Sequence, residues 1–243
     1  MPSRTFFMHI GKTAGSAVNH LLKEHFQERF IDHIEVDPNW PNRLNENYDC
    51  LSGHLHFPSF RKAAGLQPFC YLTVLREPVS QTRSHLHWLR LLGANPNLRQ
   101  DTPPHILKIS DALRDVDLND AGQVRYFLMQ QDDTRDDRIR LLDNCQSRYF
   151  LDGYVDRRFE LQDLRMAIDS MAQFNFVGVN EDTAGIVAGI KSVLGIGAVL
   201  EFPYANVQKY DRDFDREVWR KTLGDWIGYD CALYEVARIR AGH

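Results

Sequence analysis

Two short stretches carry residue types that could hold a phosphorylated ligand. The first is His9-Ile-Gly-Lys-Thr-Ala-Gly-Ser16, in which Gly11 and Gly15 allow close backbone approach, Lys12 supplies a point charge, and Thr13 and Ser16 supply hydroxyl donors. Such a turn suits an anion when it joins a strand to a helix, because a helix N-terminus presents unpaired N–H groups and a partial positive charge. A nucleotide-triphosphate loop would read GxxxxGK[ST]; Gly11-Lys12-Thr13 matches its end, but Phe6 stands where the earlier glycine belongs. The ordinary ATPase or GTPase reading therefore fails. The second stretch is Thr73-Val-Leu-Arg76-Glu-Pro-Val-Ser-Gln-Thr-Arg-Ser84, which sets an arginine at a strand end and a serine further along the following helix. Together these two could grip a second phosphate.

The elements that must position these residues follow from the hydrophobic pattern. Thr5–Ile10 is a β-branched and aromatic run ending at Gly11, and apolar residues then fall at Val18, Leu21, Leu22 and Phe26, which is strand, tight turn and amphipathic helix. Phe69–Leu75 reads as a buried strand, Pro78 suits the first turn of a helix, and Leu86, Leu89 and Leu92 line one later face. A third strand is expected over Phe174–Val179, ahead of a helix bearing Ile186, Val187, Ile190, Val193 and Leu194. Alternating strands and helices imply an α/β fold with a central, mainly parallel sheet flanked by helices. Arg216–Arg240 carries a partly broken helical pattern and is expected to cap the sheet from outside. Gly93–His105, with three prolines, and the mixed-charge run Gln130–Arg140 are expected as surface loops.

Composition narrows the classes. Twenty-nine Lys and Arg against 33 Asp and Glu leave a formal charge of −4 over 243 residues, which excludes a generally basic nucleic-acid binder. A hydrophobic share of 43% excludes disorder as the main state, and the length favours a single domain over residues 1–243. The most apolar stretch, Ile186–Phe202, is broken by Lys191, Ser192 and Glu201, so no membrane span is expected. Thr5–Ile10 is too short for a signal-peptide core, and the chain reads as cytosolic. Cys50, Cys70, Cys145 and Cys231 lack CxxC spacing and read as reduced, mostly buried thiols. His54 and His56 with His85 and His87 complete neither an HExxH motif nor a Cys/His set, so no metal is expected.

With a third stretch between the first two, Gly53-His54-Leu-His-Phe57, the chain resembles the sulfotransferases that use 3′-phosphoadenosine 5′-phosphosulfate. The pattern is nearest to the branch containing heparan sulfate 2-O-sulfotransferase and related bacterial proteins. Ile10-Gly-Lys-Thr-Ala-Gly-Ser16 looks like the family's 5′-phosphosulfate loop, with Lys12 in the catalytic position. Leu75-Arg76-Glu-Pro with Ser84 is similar to its 3′-phosphate segment, and His54 stands where the family carries its histidine base. Order and spacing agree across residues 6–92, and Phe176-Val-Gly-Val-Asn-Glu181 resembles a recurrent later strand. The chain departs from the family in having Gly11 where proline is frequent before the lysine, and His9 where a basic side chain is common. Ser52 stands where the eukaryotic branch has a second histidine.

The resemblance implies a P-loop-like three-layer sandwich and sulfuryl transfer to a hydroxyl of a carbohydrate or another small acceptor. Lys12 and His54 would be catalytic; Gly11, Lys12, Thr13, Ala14, Gly15 and Ser16 would hold the 5′-phosphate; Arg76 and Ser84 would hold the 3′-phosphate. The donor is then the phosphosulfate nucleotide, the product adenosine 3′,5′-bisphosphate, and no metal is required. A nucleotide-binding homologue without turnover is the alternative, and a P-loop kinase a further one. His56 is expected on the substrate side or in packing, and Glu181 as a carboxylate behind the site, a helix cap or an ion-pair partner. Asn206 and Lys209 would belong either to a late loop closing on the nucleotide or to plain surface. The acceptor is not legible: a polyanion would need a basic groove, for which Arg61, Lys62, Arg83, Arg90 and Arg99 are the local cations.

Overall fold

The computed structural model describes residues 4–132, 141–152, 157–197, 201–203 and 214–242. A five-stranded sheet lies at its centre, built from β1 (Arg4–Met8), β2 (Phe30–Ile31), β3 (Cys50–Gly53), β4 (Phe69–Leu75) and β5 (Phe176–Val179). The strands run in the order β2-β3-β1-β4-β5 and every pair is parallel. Met8 lies level with Gly53 on one side and Thr73 on the other, and Leu75 lies level with Val179. All the carboxyl ends therefore open on one edge, and connections from the central β1 and from β4 leave in opposite directions, which creates the crevice where open α/β sheets take ligands.

Alternation along β1 assigns the two faces. Phe6 and Met8 join a cluster with Phe57, Phe60, Phe150, Phe174 and Leu233, whereas Phe7 points to the opposite side, with Val18, Leu21, Leu22, Ile186 and Ile190. Helices α1 (Gly15–Phe26) and α9 (Thr183–Leu194) cover the second face, and α2 (Phe57–Ala64), α8 (Leu161–Met171) and α11 (Gly228–Ala241) cover the first. Between these lie α3 (Pro78–Ala94), α4 (Pro96–Arg99), α5 (Pro104–Ala112), α6 (Ala121–Asp132), α7 (Cys145–Arg148) and α10 (Arg216–Leu223). Val79, Leu86 and Leu89 of α3 pack with Ile109, Phe127 and Trp219 into a helical cluster of their own beside the sheet.

The expected surface loop over Gly93–His105 is mostly helix. Its prolines stand at helix starts, Pro96 opening α4 and Pro103 and Pro104 opening α5, where the missing N–H costs nothing. The expected loop Gln130–Arg140 begins as the end of α6, and residues 133–140 lie outside those described. The broken pattern over Arg216–Arg240 corresponds to α10, a 3₁₀ turn at Gly224–Trp226 and α11, which packs against β5. All four cysteines are free thiols, and Cys231 is the least buried of them. Among the described residues no helix is long and apolar enough to cross a membrane.

Phe60 illustrates how α2 seals the sheet: it is fully buried, stacks on Phe6 with ring centroids 3.6 Å apart, and meets Phe69 edge-on at 5.1 Å. Phe60→Ala is expected to destabilise the fold by about 3–5 kcal/mol. Equilibrium unfolding in urea would reveal this as a lowered midpoint with an unchanged slope.

Candidate functional site

The loop between β1 and α1 is wound through unusual backbone geometry. Lys12 has φ 66° and Ala14 has φ 72°, left-handed values held by residues other than glycine, each of which costs roughly 1–2 kcal/mol. Such strain gathers where a functional geometry is over-determined by its surroundings. Thr13 is fully buried, and its Oγ1 donates to the Ile10 carbonyl at 2.9 Å, so its hydroxyl braces the loop. Gly15 is required by packing, since a Cβ there would lie 1.8 Å from the His9 ring. Gly11 has no such requirement, because a Cβ would meet nothing within 4 Å. Ser16 is exposed in the first turn of α1. That helix has no side-chain cap at its N-terminus and no acidic residue in its first turn, which leaves its positive end uncompensated.

The start of α3 is different. The Glu77 carboxylate accepts from the N–H groups of Val79 and Ser80 and also meets Arg220 at 3.3 Å. What the second turn offers a ligand is therefore side chains. Arg76 lies just beyond β4, and its Nη1 donates to the Lys12 carbonyl at 3.3 Å. The Gln146 side-chain amide clamps the Arg76 backbone, accepting from its N–H and donating to its carbonyl, both at 2.9 Å. Gln146 is in turn tied through its own N–H to buried Asp230, which also accepts from the Ser147 N–H and hydroxyl. Ser84 is buried in the second turn of α3, one turn beyond Ser80 and Gln81 on the same helix face. The Gln81 side chain donates to the Gly11 carbonyl at 3.0 Å, so that face lies against the first loop.

Lys12 and Arg76 thus converge from separate strands. Burial is the main cause that lowers the Lys12 pKa, and repulsion from Arg76 adds to it. Among the described residues Lys12 makes no ion pair. Two crowded cations beside an uncapped helix start form a place that an anion would stabilise.

His54 stands on the opposite flank of Lys12, immediately after β3. Its Nδ1 lies 2.6 Å from the His9 carbonyl, and a carbonyl can only accept, so Nδ1 carries the proton and Nε2 keeps the lone pair. Its backbone N–H donates to Glu35 Oε2 at 3.0 Å. Burial lowers the His54 pKa, opposed by the Glu35 charge and by the bond to His9, so the ring is neutral at neutral pH. His9 itself is pushed down to about 2 by burial first and then by its neighbours His54, His33 and Lys12. It is a neutral spacer whose ring fills the space below Gly15 and lies 4.2 Å from that of His54.

The other expected residues have structural roles. His56 precedes the first residue of α2, with its ring stacked against Tyr149 and Nδ1 3.3 Å from the Leu151 carbonyl. Ser52 donates to Asn19 of α1 at 2.6 Å inside the core. Glu181 accepts from the Glu77 N–H and the Tyr234 hydroxyl, tying the ends of β4 and β5 together. Three of the local cations have partners within the chain: Arg83 lies 3.9 Å from the Phe214 ring centroid, Arg90 donates to the Val116 carbonyl, and Arg99 pairs with Asp111 at the surface. Asn206 and Lys209 lie outside the described residues.

Sequence reasoning missed Glu35, His33, Gln81 and Gln146, and weighed His85 only as a metal ligand. His85, fully buried in α3, has its pKa pushed down to about 4 by burial and then by Lys12 and His54. Gln81 and His85 carried no local signal, because they sit in the unbroken polar run Ser80–His85, which the fold nevertheless buries. No protein-family model matches the chain, and no curated protein matches it significantly.

The brace between His9 and His54 makes a prediction. In ¹⁵N spectra the His54 ring of the free protein should show the Nδ1–H tautomer. Gly15→Ala, by driving a methyl into the His9 ring, should destabilise the fold by about 1–3 kcal/mol and disturb that tautomer signal.

Proposed function

We propose that this protein is a sulfotransferase that moves a sulfuryl group from 3′-phosphoadenosine 5′-phosphosulfate to a hydroxyl of a carbohydrate or another small acceptor. The observation that carries the reading is the convergence of Lys12 and Arg76 beside the uncapped start of α1, with the His54 Nε2 lone pair on the other flank. A pure nucleotide binder has no need of the histidine. On this reading the sheet is the centre of a P-loop-like three-layer sandwich, and residues 1–243 form one sulfotransferase domain. Four free thiols accord with a cytoplasmic enzyme.

Transfer needs the acceptor oxygen, the sulfur and the departing phosphate oxygen in line. The N–H groups from Thr13 to Ser16 hold the 5′-phosphate, with the Ser16 hydroxyl as a further donor. Thr13 contributes through its backbone, because its hydroxyl is occupied by the Ile10 carbonyl. As the acceptor oxygen bonds to sulfur, the bond from sulfur to the bridging oxygen breaks and its electron pair goes to the 5′-phosphate, where Lys12 offsets the charge. The acceptor's proton passes to His54 Nε2, and the resulting imidazolium is held in place by the Nδ1–H bond to His9. Arg76 and Ser84 take the 3′-phosphate, which is what separates this donor from ATP. No step calls for a metal.

With Arg83 against the Phe214 ring, Arg90 on the Val116 carbonyl and Arg99 paired with Asp111 at the surface, a small acceptor suits the site better than a long polyanion.

Isothermal titration with adenosine 3′,5′-bisphosphate, against ATP with Mg²⁺, tests the reading first. The bisphosphate should bind tightly, and Arg76→Ala should lose most of that affinity. Binding of ATP alone would move the protein to the triphosphate class, and binding of neither would leave a scaffold without donor. In turnover assays Lys12→Ala and His54→Ala should each lower kcat by about 100-fold or more. Arg76→Ala should act mainly on the KM for the donor. Full turnover in His54→Ala would remove the base assignment.

A further inference from the structure

His54 has a second set of neighbours that the transfer chemistry does not use. His33 and Glu35 lie on the turn that follows β2, and His54 follows β3, the strand that pairs with β2. One ligand atom from each of His33, Glu35 and His54 lies within 4.8 Å of the other two. The His33 and His54 rings are 5.5 Å apart, and His33 Nδ1 is 3.2 Å from Glu35 Oε1. Two imidazoles and one carboxylate are the donor set of a zinc centre with three protein ligands and an open position.

The three side chains are oriented as ligands require. A metal-bound histidine usually donates its other ring N–H to a carbonyl or carboxylate, which fixes the ring and its tautomer. His54 does this already, giving Nδ1–H to the His9 carbonyl and keeping Nε2 available. Glu35 is anchored by the His54 backbone N–H on Oε2, which leaves Oε1 toward His33. Gly53 permits this approach, since a Cβ there would lie 2.5 Å from Glu35 Oε2. Mixed nitrogen and oxygen donors select a divalent transition ion over magnesium or calcium.

We propose that His33, Glu35 and His54 form a binding site for a divalent transition-metal ion, Zn²⁺ above all, with the remaining coordination positions open to water. The site draws on residues of this chain alone. One corollary rests on the sulfotransferase reading: an ion on His54 Nε2 takes the lone pair that the acceptor's proton needs, so Zn²⁺ inhibits transfer. Binding of the ion does not depend on that reading.

Co²⁺ titration of the full chain tests the proposal, since its visible absorption reports coordination by protein ligands without any turnover. One equivalent should bind and be displaced by Zn²⁺. His33→Ala and Glu35→Gln change partly exposed side chains and should each weaken binding by more than the roughly 10–100-fold that losing an outer-shell partner costs. His20→Ala removes the histidine of another His–Glu pair, on the surface of α1, and should leave the affinity unchanged. Absence of a saturable one-to-one signal would overturn the site, as would equal affinity in wild type and His33→Ala. Cobalt binding in a protein that takes no adenosine 3′,5′-bisphosphate would keep the metal site and remove the sulfotransferase reading.

Discussion

His9 ties the loop that carries Lys12 to the strand end that carries His54. Its N–H donates to the Gly53 carbonyl at 3.0 Å, its carbonyl accepts from His54 Nδ1 at 2.6 Å, and its ring occupies the space below Gly15. One residue past β1 therefore sets the tautomer of His54, the approach of β3 and the path of the loop that carries Lys12. The arrangement works because the ring is kept neutral by burial: a charged imidazolium there would repel Lys12. The parallel register of β1 with β3, Met8 level with Gly53, is what brings His9 beside His54.

Charge is distributed unevenly over the two helix starts that border the crevice. Glu77 accepts from the first N–H groups of α3 and draws in Arg220, so a ligand at that end meets side chains and not the helix N–H groups. The start of α1 has neither a side-chain cap nor an acid, and Lys12 and Arg76 stand beside it without the relief that a carboxylate would give Lys12. Ordinary folding physics would pair the Lys12 charge. A site that sets it beside a second cation is stabilised by a ligand that brings negative charge with it.

The frame behind these residues is rigid and internally tied. Asp230 holds Ser147 and Gln146, Gln146 clamps the backbone of Arg76, and Glu181 joins the ends of β4 and β5 through Glu77 and Tyr234. None of these groups needs to touch a ligand. Their effect is to hold an arginine and a lysine from different strands at a separation that their mutual repulsion would otherwise widen.

The sequence by itself determined the elements whose periodicity is local. β1, β4 and the core of β5 were legible from β-branched and aromatic runs, α1, α3 and α9 from apolar spacing, and the Lys12 and Arg76 turns from their glycine and proline signals. Strands β2 and β3 were not, because two and four residues are too few to show a period. The prolines of Gly93–His105 misled for a related reason: proline marks helix starts as well as loops, and only the packing of α5 on α3 selects between them. Which atom of His54 carries its proton, why Gly15 must be glycine while Gly11 need not be, and that His33 and Glu35 stand beside His54 were decided by tertiary structure alone. The His54 contacts depend on atoms brought together by sheet register from separate parts of the chain, and the Gly15 requirement on how the loop folds the His9 ring beneath it; neither leaves a mark on local composition or spacing.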